Sequence, residues 1–125
     1  MPRSIPEIRK PWKDFVIPLY GGRVVAYNKR STYIETIKAC GAPEGDDMET
    51  CRGMCFPAQN EAGGKLYALG WFDSDFQTLV HECGHVAMFV VMHAGINPTD
   101  SSGEAYCYVL DHVFGQIIDK RRRCV

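Results

Sequence analysis

The sequence predicts an α+β fold in which a small antiparallel or mixed sheet packs against two long helices. Three observations predict it. Short β-rich runs bounded by turn residues recur at 15–19, 23–27, 53–58 and 65–72. Two later stretches, 74–94 and 102–119, space their apolar residues as helices do. The order of strands, helix, strands and then two helices suits an α+β domain.

Each element has a local cause. Residues 1–14 read as an irregular arm. Tyr20-Gly21-Gly22 separates the first two runs and signals a hairpin, with Pro18 pushing the first run to an edge. Residues 31–40 read as a helix that Ser31 caps and Gly41 with Pro43 stops. Residues 44–50 form an acidic loop. Residues 59–64 turn between the third and fourth strands. Ser74 and Gln77 suggest a capping box for the first long helix, which runs to about Ala94 before Gly95 and Pro98 end it. The last helix is expected over 102–119.

The bulk properties narrow the function. A chain of 125 residues, 46% of them apolar, makes one domain over 1–125 with a real core. Its net charge is −1. The one strongly positive stretch is the 120–125 tail with Lys120-Arg121-Arg122-Arg123, which suits a solvated helix end. No motif that reads nucleic acid accompanies it, so no such partner is expected. The first ten residues are polar and carry two prolines, unlike a secretion signal. The longest apolar run, 86–92, is too short for a membrane span. These features lead us to expect a soluble, cytoplasmic protein. In that compartment the six cysteines, at 40, 51, 55, 83, 107 and 124, read as reduced, ordinary thiols. Cys51 and Cys55 lack the spacing of a structural zinc knuckle.

The chemistry concentrates in His81-Glu82-Cys83-Gly84-His85. Histidines four residues apart on a helix stand about 40° apart around its axis and about 6 Å apart along it. Both imidazoles can then reach one metal ion. Glu82 stands beside the first and can polarise a metal-bound water. Random placement at this composition gives HExxH in fewer than about one chain in a hundred. The bland alternative is two surface histidines on one helical face. Leu79, Cys83, Val86, Ala87 and Val90 share the core side of the helix, so Cys83 points away from the histidines. Met88 and Met92 share the histidine face, which suggests a groove or a partner helix.

Catalytic zinc takes three protein ligands and keeps one position open. Glu104, opening the last helix, is the best third candidate. Asp111, His112, Asp100 and His93 follow, although His93 lies about 12 Å along the helix from His85. Ser101 and Glu104 also read as a capping box. Glu104, Tyr108, Asp111 and Gly115 form one stripe of that helix. Tyr108, ahead of Tyr106 and His112, is the candidate for stabilising the oxyanion of a tetrahedral intermediate.

Phe76 to His85 followed by Gly103-Glu-Ala-Tyr-Cys-Tyr-Val-Leu-Asp-His112 resembles the small zincin-like metallopeptidases of tailed-phage genomes. A looser similarity is to the ImmA/IrrE peptidases, which have a similar helix and a later Glu-Ala helix. The resemblance implies a zincin-like minimal domain, with His81, His85 and Glu104 as zinc ligands and Glu82 as general base. It implies a Zn2+-dependent hydrolase that cleaves a protein or peptide, in the bacterial host cytoplasm if phage-encoded. Strand 65–72 is the expected edge for an extended peptide. The rival reading is a zinc-stabilised, non-catalytic phage protein that grips a host protein. Glu82 speaks against it, because a purely structural site has no use for a base. Neither reading fixes the oligomeric state.

Overall fold

The computed structural model describes residues 9–59 and 63–119. Strands β1 (Lys13–Val16) and β2 (Arg23–Tyr27) lead into helix α1 (Arg30–Ala39). A short 3-10 turn at Asp46–Glu49 precedes strands β3 (Gly53–Gln59) and β4 (Lys65–Trp71). Helices α2 (Phe76–His93) and α3 (Glu104–Ile118) close the described chain. The fold is therefore α+β with a small mixed sheet. No helix among the described residues is long and apolar enough to cross a membrane.

The sheet order is β1-β2-β4-β3. β1 pairs antiparallel with β2, β2 parallel with β4, and β3 antiparallel with β4. Alternate residues of the two central strands feed two cores. Val24, Ala26, Tyr67 and Leu69 face α2 and α3. Val25, Tyr27, Leu66 and Ala68 face α1, with Tyr33, Ile34 and Ile37. Both faces of the sheet are covered, which is why 66–69 is a continuous apolar run rather than an alternating one.

Several expected boundaries shift. The 1–14 arm is shorter than expected: β1 starts at Lys13, and the Trp12 amide already bonds the Ala26 carbonyl. β1 ends at Val16 instead of continuing to residue 19, because the turn begins at Pro18. Helix α1 begins at Arg30 with no side-chain cap, so Ser31 does not cap it. Asp75, not Ser74, caps α2, accepting from the Gln77 amide. Ser74 instead has φ 59° in the turn before it. Helix α3 starts at Glu104 behind Gly103, with no side-chain cap, so Ser101 and Glu104 form no capping box.

The helix stops match expectation. Gly95 and Ile96 donate to the carbonyls of Met92 and Val91, and Gly41 and Ala42 to those of Lys38 and Ile37. Each is a Schellman closure behind a left-handed glycine. The 120–125 tail, residues 1–8 of the arm, Cys124 and part of the 59–64 turn lie outside the described residues. The other five cysteines are free thiols.

One correction bears on function. β4 lies inside the sheet between β2 and β3, so strand 65–72 cannot serve as the peptide-binding edge. The edge beside α2 is β3. The Phe72 amide bonds the Arg52 carbonyl. Such pairs alternate in an antiparallel ladder, so Met54, Phe56 and Ala58 follow the same phase. Pro57, which has no N–H, falls on the other phase. The backbone groups of Gly53 and Cys55 and the Pro57 carbonyl therefore turn toward the open edge.

Candidate metal centre and its cleft

Helix α2 lies across the sheet with Leu79, Cys83, Val86, Ala87, Val90 and Val91 buried. That packing fixes its rotation. His81 and His85, on the opposite side, are exposed. Their Nε2 atoms stand 3.1 Å apart, with the ring centroids 4.7 Å apart and the planes nearly perpendicular. Nitrogens bound to one tetrahedral zinc at about 2.0–2.1 Å lie about 3.3–3.4 Å from each other. The pair is close to that spacing, so its two donors suit two corners of a zinc site. Among the described residues, no group of three or more His, Cys, Asp or Glu side chains converges as a metal-binding cluster.

Glu82 turns from the solvent toward β3 and is only 7% exposed. Burial raises its pKa above the ordinary carboxylate value, while His81 acts in the opposite sense. Its seat depends on Gly53. A β-carbon there would come within 2.8 Å of the Gly70 carbonyl and of Thr78 Cγ2, and 3.0 Å from Glu82 Cγ. Only glycine lets strand and helix approach this closely.

Two hollows meet at this contact. One, of about 530 Å³, is lined by Arg52, Gly53, Gln77, Thr78, His81 and Glu82. The other, of about 330 Å³, is lined by Cys51, Gly53, Met54, Cys55, Glu82, His85 and Phe89. Gly53 and Glu82 line both, so the hollows flank the contact between β3 and α2. Burial raises the pKa of the Cys55 thiol, and Glu82 and Cys83 add to the shift. It also pushes Cys83 up to about 12. Both are neutral thiols near neutral pH.

The remaining predicted residues lie elsewhere. Glu104 and Tyr108 line a separate hollow with Leu19, Tyr20, Ile96 and Asp100. Tyr108 meets Tyr20 edge-on, with ring centroids 6.3 Å apart. The stripe of Glu104, Tyr108, Asp111 and Gly115 is exposed. His93 accepts or donates at Nδ1 to the Tyr67 hydroxyl at 2.8 Å and stacks on Phe89. His112 packs edge-on to Phe15, with its Nε2 buried and unpartnered among the described residues. The Tyr106 hydroxyl, by contrast, comes within 3.1 Å of a β-carbon position on Gly84, inside the motif. Sequence reasoning missed Gly53, Arg52 and Phe89 as site residues. A glycine opening a strand was the available signal, since it marks close backbone approach.

No protein-family model, curated protein or solved structure matches this chain. The functional argument therefore rests on the cleft itself.

Proposed function

We propose that this protein is a zinc-dependent hydrolase, a peptidase of zincin-like type, with His81 and His85 as metal ligands and Glu82 as general base. The observation that carries the reading is the approach of the two Nε2 atoms to 3.1 Å beside a buried carboxylate at an open strand edge. Zinc, when bound, supplies Lewis-acid activation of water and of a carbonyl. The histidines hold the ion on the solvent side of α2. Glu82 takes a proton at its carboxylate and passes it to the leaving amine. Its desolvation strengthens it as a base, since it raises the affinity of the carboxylate for that proton. The open edge of β3 offers backbone donors and acceptors to an extended peptide. Glu104 stays our candidate for the third ligand, on the resemblance and on the need of catalytic zinc for three protein ligands.

The test is metal content together with Glu82→Gln. Protein purified without added metal should hold about one zinc per chain, by elemental analysis. Glu82→Gln should keep zinc and fold while hydrolysis falls by about 10²–10⁴. Zinc well below one, not restored by dialysis, sinks the metal reading. A variant that works unchanged in the cell favours the zinc-stabilised binding protein instead.

A further inference from the structure

The solvent face of α2 carries a donor set that the zinc pair does not use up. A helix packed on a sheet ordinarily turns charged residues to water. Of the 18 residues of α2 only Glu82 is an Asp, Glu, Lys or Arg, and it is buried. The exposed stripe is instead His81, His85, Met88 and Met92, spaced i, i+4, i+7 and i+11 along one side of the helix. Met88 is 38% exposed and Met92 57%, so neither thioether is spent on filling the core. Met48, by contrast, is buried in the core beside α1. Cys83, the one thiol of α2, is buried on the opposite side of the helix.

Long side chains on a helix lean toward its N-terminus, onto the residues three and four places before them. Met88 therefore leans onto His85, and Met92 onto Met88. The reach is short, since β-carbons of such neighbours stand about 5–6 Å apart. His85 is exposed, so its ring can turn from His81 toward Met88 without disturbing the core. Zinc is held by nitrogen, oxygen and thiolate, whereas thioether sulfur selects softer ions, Cu(I) above all. We infer that His85 and Met88 form a site for Cu(I), with Met92 supplying a second thioether one turn further on. The ion enters from the open side of α2. Neither Glu82 nor Glu104 takes part, so the inference stands apart from the hydrolase reading and shares only His85 with it.

The test uses the full chain, stripped of zinc, with its accessible thiols blocked because thiolate also takes soft ions. It is titrated with Ag(I), a redox-silent stand-in for Cu(I). Isotope-labelled methionine methyl groups and histidine rings are followed by nuclear magnetic resonance. The Met88 methyl and the His85 ring should shift together, with Met92 following. The methyl groups of Met48 and Met54, which belong to the core beside α1, should stay in place. Zinc should move the histidine signals and leave those of Met88 and Met92 unchanged. Met88→Leu keeps size and apolar character at an exposed position, so the fold should stand. It should remove most of the Ag(I) affinity read at His85, and Met92→Leu a smaller part. Cu(I) itself should be held against a competing chelator by the wild type and lost by Met88→Leu. A histidine shift without a Met88 shift overturns the inference, and so does unchanged affinity in Met88→Leu. Methyl shifts as large with zinc as with Ag(I) also overturn it, because they would report a change in the helix and not a soft donor.

Discussion

Gly53 leaves Glu82 its place between β3 and α2: a β-carbon on Gly53 would lie 3.0 Å from Cγ of Glu82. The same atom would strike the Gly70 carbonyl and Thr78 Cγ2 at 2.8 Å. One obstacle is backbone and another is a branched side chain against a helix, so neither yields cheaply. The glycine is thus a positioning residue for Glu82, the base of the proposed reaction, through the closeness it permits.

Gly53→Ala should therefore cost about 1–3 kcal/mol of stability, the usual range for overpacking. It should also reduce hydrolysis more than it reduces zinc content, because the histidines lie on the exposed side of α2. Melting temperature, zinc stoichiometry and kcat measured on one preparation separate these effects. Gly115→Ala is the contrast. Gly115 is exposed within α3 with nothing near its β-carbon position, so alanine there should stabilise by about 0.5–1 kcal/mol. Equal behaviour of the two variants would remove Gly53 from the account of the site.

The hairpin gives a pH prediction. Arg23 donates to both oxygens of Asp14, at 2.9 and 2.7 Å, and ties β1 to β2. That hydrogen bonding holds the Asp14 carboxyl below its ordinary pKa. A folded pKa below the unfolded value of about 3.9 gives stability that is present above it and lost as pH falls through the folded pKa. The pair is over 40% exposed, so its contribution is at most about 1 kcal/mol. Asp14→Asn should lower the melting temperature slightly at pH 7, and by less as the pH falls below the ordinary carboxylate range. Added salt should shrink the gap at pH 7. A gap that shrinks neither with salt nor with falling pH would mean that the effect is not electrostatic.

The tyrosines of α3 separate by position. Tyr106 reaches the motif at Gly84, whereas Tyr108 faces Tyr20 in another hollow. If a tyrosine hydroxyl steadies the developing oxyanion, it is that of Tyr106. Tyr106→Phe should lower kcat by about 10² with KM nearly unchanged, as loss of a single oxyanion donor does. Tyr108→Phe should leave both constants near the wild-type values. The reverse outcome would return the role to Tyr108.

Much of the fold was legible in the sequence because it is locally caused. The Schellman stops at Gly41 and Gly95, the β2 boundaries and the rotation of α2 follow from glycine placement and apolar spacing. The converging histidines followed from a four-residue spacing alone. Strand order did not, because it depends on which faces the helices cover. The unbroken run 66–69 is the sign of a strand buried on both faces, and it places β4 inside the sheet rather than at its edge. Arg52, Gly53 and Phe89 were missed because they come from separate elements that only tertiary packing brings together. The Ser101–Glu104 capping pattern misled because the backbone there takes another course, with Ser101, Ser102 and Gly103 all at positive φ.

That left-handed stretch bears on the last prediction, which concerns Glu104. Two serines in this region hold strain of about 1–3 kcal/mol each. They stand directly before the residue that the resemblance assigns as third ligand. Glu104 itself lies exposed in the hollow with Asp100 and Tyr108, and catalytic zinc requires more than the two nitrogens of the pair. If Glu104 closes the site as third ligand, Glu104→Ala should lower zinc affinity by orders of magnitude, measured as retention against a competing chelator. If Glu104 serves only the helix end, its loss should cost about 0.3–1 kcal/mol of stability and leave zinc in place. Ser101→Ala is the matched control, a polar side chain removed from the same hollow. We expect it to retain zinc as the wild type does. Equal retention by both variants would show that Glu104 is not a ligand and would turn the search to Asp111 and His112.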